Sequence, residues 1–440
     1  MKPSELPKLS IDIKFKHLTK LHDKRAEALA KGILIQGPDD FVPASIRIGG
    51  RTIKVKIRLK GDWTEHLEGK KWSFRVRVKG KDQIFGMRRF SIQNPKVRGF
   101  QSEILFQETV RKLGVLVPRY FLIDVMVNGD DVGIMALEEH FSKELLESNG
   151  RRENVIVRFD ESLVWAANDG INRGFYGVFD SYLNASIDGF QSSKIRKSEH
   201  LSEQYAIAVG MLRGFMKGYM APSEVFDAEL FGKYLGAAEL WGSKHAVRWH
   251  NLRLYLNPIS LRFEPICFDA DLRSTVKKGV LLRQGEPIVN DILKDPKIFE
   301  VYLKTVQMLA KEILTRGELH EKLQTVEQRY LTDLRNEFYL LEKYPYGKLK
   351  ARAKYLLSLS ENGFKQQEKA PEDFPILLHA YKLKDTNQSY LELANAIPHD
   401  VEVESVNWIG KGGRPNIEFQ PLSEQSFPIH LPATPRGLLP

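Results

Sequence analysis

Residues 52–59 read Thr52-Ile53-Lys54-Val55-Lys56-Ile57-Arg58-Leu59, a run in which apolar and polar side chains alternate without a break. A period of two is typical of a β-strand with one buried and one exposed face. Residues 44–48 alternate in the same way, and the Gly49-Gly50 pair between the two runs indicates a hairpin. A third alternating run, residues 72–78, follows a polar loop. This part of the chain is therefore predicted to form an antiparallel sheet.

The pattern changes on the C-terminal side of this sheet. Residues 101–113 have helix-like apolar spacing, and two further predicted strands are joined by Asn128-Gly129, a strong hairpin signal. From about residue 141 the pattern is mainly helical, apart from one short strand pair within residues 252–268. We therefore predict an α+β protein. Its predicted parts are a β-rich N-terminal lobe at 1–140, a helical lobe at 141–370 and a small β-rich appendage at 371–440.

Composition limits the possible classes of protein. Cys267 is the only cysteine in 440 residues, which excludes an intrachain disulfide and a metal cluster built on cysteines. No apolar run approaches the roughly 20 residues of a membrane-spanning helix, and the first residues lack the apolar stretch of a signal peptide.

The positive charge is concentrated in one segment. The formal net charge is +10, and residues 51–100 hold fifteen Lys or Arg against four Asp or Glu. The segment predicts a basic surface that attracts nucleotide phosphates, an acidic polymer, nucleic acid or an anionic surface. The alternative is a set of strands whose outward face is simply rich in Lys and Arg. No nucleic-acid motif accompanies the segment, so no specific nucleic-acid partner is expected.

Three groups of residues occur in an order that is typical of one family. Across roughly residues 45–275 they resemble the spore-coat-H (CotH) kinase-like family. The first group is Ile57-Arg58-Leu59-Lys60-Gly61-Asp62 with Lys70-Lys71-Trp72-Ser73-Phe74-Arg75-Val76; the second is Leu113-Gly114, Pro118-Arg119-Tyr120, Asn128-Gly129 and Glu138-Glu139; the third is His250-Asn251, Tyr255 and Asp269-Ala270-Asp271.

The resemblance implies an atypical protein-kinase-like two-lobed fold that binds ATP with Mg²⁺ or Mn²⁺. Phosphoryl transfer requires cations placed beside the phosphates. We predict that Lys71 makes this contact, with Lys70 as the alternative. A carboxylate of the predicted helix at 101–113, Glu108 or Glu103, would orient the lysine. The residues predicted to form the nucleotide-binding site are Lys71, Glu108, Glu138 and Glu139.

A metal site is predicted around the short strand pair of the helical half. Asn251 precedes one strand and Asp269 follows the other, so pairing of the strands brings the two residues together. Oxygen atoms of such side chains suit Mg²⁺, which takes one or two carboxylates together with phosphate oxygens and water. Asp271 would serve as a further ligand or would cap the next turn.

One departure from the family pattern concerns the catalytic base. The family usually carries an Asp shortly before the metal-binding Asn, whereas residues 242–250 contain no carboxylate here. His245 is the nearest group that can accept a proton near neutral pH. A structural role for this histidine is the alternative. The predicted catalytic residues are therefore His245 and Lys71.

These observations favour an ATP/Mg-dependent kinase-like transferase acting on a protein or polysaccharide acceptor. Transfer of another part of ATP, such as the nucleotidyl group, stays open because the usual Asp is missing. The alternative function is a non-catalytic kinase-like module that binds an acidic polymer or a surface partner. The resemblance also suggests a location at the cell envelope or outside the cell.

Overall fold

The alternating runs near the N-terminus form a closed barrel of seven strands in the order β1-β2-β3-β4-β5-β7-β6. The computed structural model describes residues 6–161, 181–183, 185–273, 279–365, 376–382, 389–395, 400–409, 415–418 and 426–432. The barrel strands are β1 (Lys8–Asp12), β2 (Val42–Ile48), β3 (Arg51–Leu59), β4 (Phe74–Val78), β5 (Arg89–Gln93), β6 (Tyr120–Val127) and β7 (Asp130–Glu139).

The barrel is filled by the apolar positions of these strands. Val55, Ile57, Val76, Phe90 and Ile92 are all buried, so the odd positions of β3 and the even positions of β4 and β5 point inward. Their neighbours in sequence therefore point outward. The sequence predicts an antiparallel sheet here, whereas the structure closes it through a parallel pairing of β1 with β6. Closure removes the two edges that an open sheet would leave unpaired.

The second half of the described chain is mainly helical and contains one further sheet. Its four strands lie in the order β11-β10-β8-β9, namely β8 (Ile156–Phe159), β9 (Ile187–Gly189), β10 (Arg253–Asn257) and β11 (Arg262–Ile266). The α-helices of the described ranges are α1 (Phe15–Lys31), α2 (Ser102–Lys112), α3 (Lys143–Ser148), α4 (Ser192–Lys197), α5 (Glu199–Met216), α6 (Pro222–Val225), α7 (Ala228–Trp241), α8 (Lys244–Val247), α9 (Leu282–Gly285), α10 (Pro287–Ile292), α11 (Pro296–Thr315), α12 (Glu318–Leu334), α13 (Tyr346–Ser358) and α14 (Glu361–Lys365).

The helical core is organised around the pair α7 and α11. A Cβ atom added at Gly236 of α7 would lie 2.8 Å from the Cβ of Thr305 on α11. The absence of a side chain at Gly236 thus lets the two helices approach closely. This packing holds the end of α7 and the loop that follows it, which carries several of the candidate site residues.

In the described ranges after residue 365, six short strands follow the helices. They pair as β12 (Ile376–Lys382) with β13 (Ser389–Asn395), β14 (Val401–Val403) with β17 (Ile429–Leu431), and β15 (Asn407–Ile409) with β16 (Pro415–Glu418). The prediction of a mixed helix-and-sheet protein is confirmed. The two-lobed kinase arrangement and the domain boundaries at 140 and 370 remain predictions. Within the described ranges, no helix has the length and apolar character needed to cross a membrane.

Candidate active site

A cavity of about 560 Å³ separates the outer face of the barrel from the helical half of the chain. Its barrel wall is formed by residues of β3, β4 and β5, and its other wall by residues that precede β10 and follow β11. Lys60 and Arg98 enter it from the barrel side, and His245, Asn251 and Asp269 from the other side. Lys60 and Asp269, which are 209 positions apart in the chain, thus line the same cavity.

Lys60 lies at the end of β3 and is almost fully buried, with 6% of its surface exposed. Its ammonium group donates a hydrogen bond to Glu138 Oε2 at 2.9 Å and another to the side chain of Gln93. Burial lowers the pKa of Lys60 to about 8, although Glu138 opposes this shift. The chain can turn directly after Lys60 because Gly61 has φ +105°, and a Cβ there would clash with His66. The buried lysine is therefore held rigidly at the cavity wall.

Arg98 connects this pair to the opposite wall of the cavity. It ends the 3₁₀ turn Pro95–Arg98, and its Nη2 lies 3.6 Å from Glu138 Oε1. Its Nη1 forms an ion pair with Asp269 Oδ1. Burial alone would raise the pKa of Asp269, but Arg98 and then His245 hold that pKa well below its usual range. A continuous chain of charges thus runs from Lys60 through Glu138 and Arg98 to Asp269.

His245 and Asn251 complete the cluster around Asp269. The His245 Nδ1 atom lies 3.5 Å from Asp269 Oδ1 and 3.2 Å from the Asp269 carbonyl oxygen. Burial alone lowers the pKa of His245, but the adjacent carboxylate outweighs it and raises the pKa above its usual value. The Asn251 amide donates a hydrogen bond to the His245 carbonyl oxygen at 2.9 Å. The ionised Asp269 therefore favours the protonated form of His245.

The backbone at the acidic end of the cluster is strained. Asp269 has φ +52° and Asp271 has φ +35°, values that residues other than glycine adopt rarely. Strain of this kind costs on the order of 1–3 kcal/mol and persists where the surrounding structure imposes it, often at functional sites. Asp271 in turn accepts a hydrogen bond from Arg273 Nε at 2.6 Å. Both carboxylates are therefore held in set positions at the cavity wall.

A family comparison decides the assignment of the chain. The model of the CotH kinase protein family matches residues 57–362, which include both walls of the cavity. The chain belongs to the CotH kinase family. No curated protein gave a match. A solved structure, that of the Helicobacter pylori proinflammatory kinase CtkA, is 11% identical with a TM-score of 0.21, and the alignment covers 74% of this chain and 95% of that chain.

The metal ligands predicted for this CotH-family protein fall in one place. Asn251, Asp269 and Asp271 all line the cavity. They reach it because β10 pairs with β11, with Arg253 opposite Ile266, and Asn251 and Asp269 flank this pair. Asp269 Oδ1 makes ion-pair contacts with Arg98 Nη1 and His245 Nδ1 on the cavity wall. The oxygen atoms present thus suit Mg²⁺ in their chemistry.

The nucleotide-contacting residues predicted from the sequence are not brought together. Lys71 donates to the carbonyl oxygens of Val132 and Ile134 and pairs with Glu337 at 2.9 Å. Glu108 lies elsewhere. It pairs with Arg111 at 3.1 Å and with Lys322 at 2.9 Å. The predicted contact between Lys71 and Glu108 is therefore absent from the described structure, because each charge is already neutralised by a different partner.

The adjacent glutamates Glu138 and Glu139 have different environments. Strand alternation directs Glu138 to the outer face, where it meets Lys60, and turns Glu139 to the other side. There Glu139 is fully buried and accepts hydrogen bonds from the backbone and side chain of Arg119. Of the two predicted residues, Glu138 alone belongs to the charge chain of the CotH site.

Lys60 and Arg98 were not predicted as site residues. Lys60 carries a usable signal, since it ends the alternating run and stands directly before Gly61 in the family-like segment. Arg98 has no local signal, because its partners Glu138 and Asp269 are distant in sequence.

Glu103 of α2 lies directly behind the Asp269 loop. Its Oε2 accepts a hydrogen bond from the Ala270 backbone at 3.0 Å, and its Oε1 accepts one from Gln107 at 3.1 Å. Burial raises the pKa of Glu103 to about 7, in spite of the nearby Arg98. The sequence suggested Glu103 as a partner for a lysine, but in the structure it supports the backbone of the acidic loop.

Replacing Glu103 by Gln is expected to make thermal stability less dependent on pH. In the unfolded chain the carboxyl group ionises near pH 4.5, whereas the folded protein retains the proton up to about pH 7. Folding is therefore favoured at low pH, and this stabilisation is lost as the pH rises from 4.5 to 7. The loss amounts to about 3 kcal/mol. The Glu103→Gln protein should not show this loss of stability. Melting temperatures of both proteins across about pH 5 to 8 would measure the difference. The same dependence of melting temperature on pH in both proteins would show that the pKa of Glu103 is normal.

Proposed function

We propose that this CotH-family protein is an ATP- and Mg²⁺- or Mn²⁺-dependent transferase of atypical two-lobed kinase-like fold. The cavity would receive the nucleotide between the barrel lobe and the helical lobe. The observation that carries the proposal is the buried chain of charges from Lys60 to Asp269, which crosses that cavity. Buried ion pairs are expensive to form, so a chain of them at a cavity wall favours a functional role over a purely stabilising one.

Lys60 takes the phosphate-binding role in this proposal. Lys60 lines the cavity and is paired with a strand carboxylate, whereas the donors of Lys71 are already bound to oxygen atoms of β7 and Glu337. A buried cation in surroundings of low polarity interacts strongly with phosphate oxygens. Glu138 would hold the ammonium group in place until the phosphates arrive.

Asn251 and Asp269 would hold the metal ion, with Asp271 as a further ligand. Within the described ranges, no three His, Cys, Asp or Glu side chains are grouped closely enough to hold a metal by themselves. This suits Mg²⁺, which in nucleotide sites takes one or two protein carboxylates and completes its shell with phosphate oxygens and water. When bound, the ion would neutralise charge on the transferred group.

Two side chains of the cavity wall can exchange protons with an acceptor hydroxyl. His245 is one, but its raised pKa means that it must first lose its proton before it can accept one from the hydroxyl. Asp62 is the other, since burial and then the nearby Glu161 raise the pKa of Asp62 to about 6. A carboxylate with such a pKa is ionised at neutral pH and more basic than an ordinary Asp. Asp62 thus offers a substitute for the acidic residue missing before Asn251.

The acceptor in this proposal is a protein or a polysaccharide at the cell envelope, as the family resemblance suggests. The proposal does not depend on which part of ATP is transferred. Kinase-type transfer relies mainly on positioning and charge neutralisation, which the Lys60 and Asp269 ends of the cavity would supply.

ATP with Mg²⁺ is expected to raise the melting temperature of the protein, since a ligand that binds only the folded state stabilises it by mass action. At about one hundred times the dissociation constant the gain is about 2.7 kcal/mol. A thermal-shift titration with ATP, and with ATP plus EDTA as control, would measure it. No shift at millimolar ATP and metal would refute nucleotide binding. Parallel incubations with γ-labelled and α-labelled ATP separate phosphoryl from nucleotidyl transfer.

A second candidate function is a non-catalytic kinase-like module that binds an acidic partner. It is favoured by the absence of a carboxylate in residues 242–250 and by the pairing of Asp269 with Arg98 and His245. This module would bind its partner but would transfer no label from γ-labelled or α-labelled ATP, even where ATP raises the melting temperature of the protein.

A further inference from the structure

Four arginines lie together on the outer face of the barrel, next to Lys60. Arg58 of β3 is directly opposite Arg75 of β4, and Arg77 of β4 is directly opposite Arg89 of β5. Arg58 and Lys60 are two residues apart, so they project from the same face at a spacing of about 7 Å. All five side chains line the cavity.

The charge of these four arginines is only partly offset within the described part of the protein, by Asp40 and Asp62 near Arg58, Glu138 near Arg75 and Glu144 near Arg89. None of them forms an ion pair with a carboxylate there, and the Arg58 Nε atom is buried without a hydrogen-bond partner. Burial and then the adjacent Arg58 lower the pKa of Arg75 to about 9. The pKa values of Arg77 and Arg89 are also lowered, first by burial and then by a neighbouring arginine. Since a guanidinium group keeps its proton, the cluster is a standing repulsion that a bound anion would relieve.

The ring of Phe41 holds two of the arginine side chains in place. The guanidinium group of Arg77 lies 3.9 Å from the centre of the Phe41 ring, and that of Arg58 lies 5.2 Å from it. Contacts of this kind fix the plane of the guanidinium group and leave its edge free to donate hydrogen bonds. Across the cavity, the buried Arg253 adds a further cation, stacked 4.6 Å from the ring of Phe268. The arrangement is therefore preorganised for oxyanions.

The positive surface continues from the cavity to the solvent. Lys54 and Lys56 follow Arg58 outward along the same face of β3, and both are exposed. From Lys60 to Lys54 the row spans about 20 Å at the rise of a β-strand. A row of this length, buried at one end and exposed at the other, suits an extended polyanion better than a single small ion. We call Lys54, Lys56, Arg58, Arg75, Arg77 and Arg89 the basic track.

We propose that the basic track binds an acidic polypeptide segment in extended conformation and guides it toward Lys60. Alternate side chains of an extended peptide project at the same spacing as those of β3, so successive carboxylates can meet successive cations of the track. The segment would belong to the acceptor, and this part of the inference rests on the proposed transferase function. The binding of the segment itself does not depend on transfer.

The test uses the whole chain and a fluorescent peptide of about eight residues in which Glu and Ser alternate. A matched peptide with Gln in place of Glu is the first control. Fluorescence anisotropy should show binding of the Glu peptide that weakens as salt rises, and little binding of the Gln peptide. Equal binding of both peptides would overturn the proposal. Tighter binding of a single-stranded oligonucleotide than of the Glu peptide, at equal salt, would overturn the choice of a polypeptide.

The variant R75Q/R77Q should bind the Glu peptide about tenfold or more weakly, a loss of at least about 1.4 kcal/mol. It should melt no lower than the parent protein, since Arg75 and Arg77 are like charges on one strand and neither forms an ion pair among the described residues. The matched control is R47Q/R51Q, which loses the same charge from the same barrel but at exposed pairs with Asp12 and Asp82. The control should bind the peptide as the parent does. Parent-like binding by R75Q/R77Q, or equal losses in both variants, would refute a role for the track.

A thermal-shift titration with ATP and Mg²⁺ on the same samples separates this inference from the proposed function. Peptide binding without a nucleotide shift would support the track and reject the transferase. A nucleotide shift without peptide binding would support the transferase and reject the track.

Discussion

Asp269→Asn is expected to remove ATP-dependent transfer, with a loss of about 10³-fold or more in rate. The substitution removes the only carboxylate shown to contact both Arg98 and His245 among the described residues. It would also weaken the proposed hold on the metal ion. Rates of label transfer from ATP, with thermal-shift titrations of ATP and Mg²⁺, would measure both effects.

The same substitution is expected to destabilise the fold. Removing one partner of a buried ion pair typically costs about 3–5 kcal/mol, because it leaves a buried charge unpaired. The pKa of Asp269 is lowered in the folded protein, so its stabilisation is complete above pH 3.8 and is lost as the pH falls further. The difference in melting temperature between Asp269→Asn and the parent should therefore persist at neutral pH and shrink only in strong acid.

Asp12→Asn provides the control for this variant. Asp12 pairs with Arg47 on the exposed surface of the barrel, where an ion pair contributes about 1 kcal/mol or less. Its loss should leave transfer and nucleotide binding unchanged. An Asp269→Asn protein that transfers label at the parent rate would contradict the metal site.

Lys60→Met should impair activity and nucleotide binding, whereas Lys71→Met should leave both unchanged. Lys60 faces the cavity, so its loss should lower the rate of transfer by about 10²-fold or more and reduce the thermal shift with ATP. Lys71→Met should keep the rate and the shift. It should lose about 1–3 kcal/mol of stability, because the carbonyl groups of Val132 and Ile134 lose their donor.

This pair of variants distinguishes the assignment made from the structure from the one made from the sequence. Both remove one positive charge and keep a side chain of similar length, so a general effect of charge would appear in both. A Lys71→Met protein without activity, together with an active Lys60→Met protein, would restore Lys71 as the phosphate-binding lysine.

Most strands of the barrel could be predicted from local sequence, because alternation records which face of a strand is buried, but β5 (Arg89–Gln93) was not predicted. The runs around Thr52 and Trp72, the Gly49-Gly50 turn and the Asn128-Gly129 turn all appear in the structure as β2–β3, β4 and the β6–β7 connection. Barrel closure could not be predicted in this way. It depends on parallel pairing of β1 with β6, which lie far apart in the chain and carry no local signal of their partner.

The candidate site was predictable where its residues flank one hairpin. Asn251 and Asp269 are placed by the pairing of β10 with β11, a local contact that the sequence pattern indicates. The ordered motifs were also sufficient to indicate the CotH family, which the family comparison confirmed.

Which charge meets which partner was decided by tertiary structure alone. The sequence offers several lysines and carboxylates of similar character, and nothing local distinguishes Lys60 with Glu138 from Lys71 with Glu108. Barrel packing buries Lys60 beside Glu138 and turns Lys71 toward Glu337. Electrostatic pairing acts over a few ångströms of space whatever the separation along the chain. The sequence by itself therefore determined the strands, the family and the Asn251–Asp269 hairpin, whereas the folded chain determined the charge network and the basic track that leads to it.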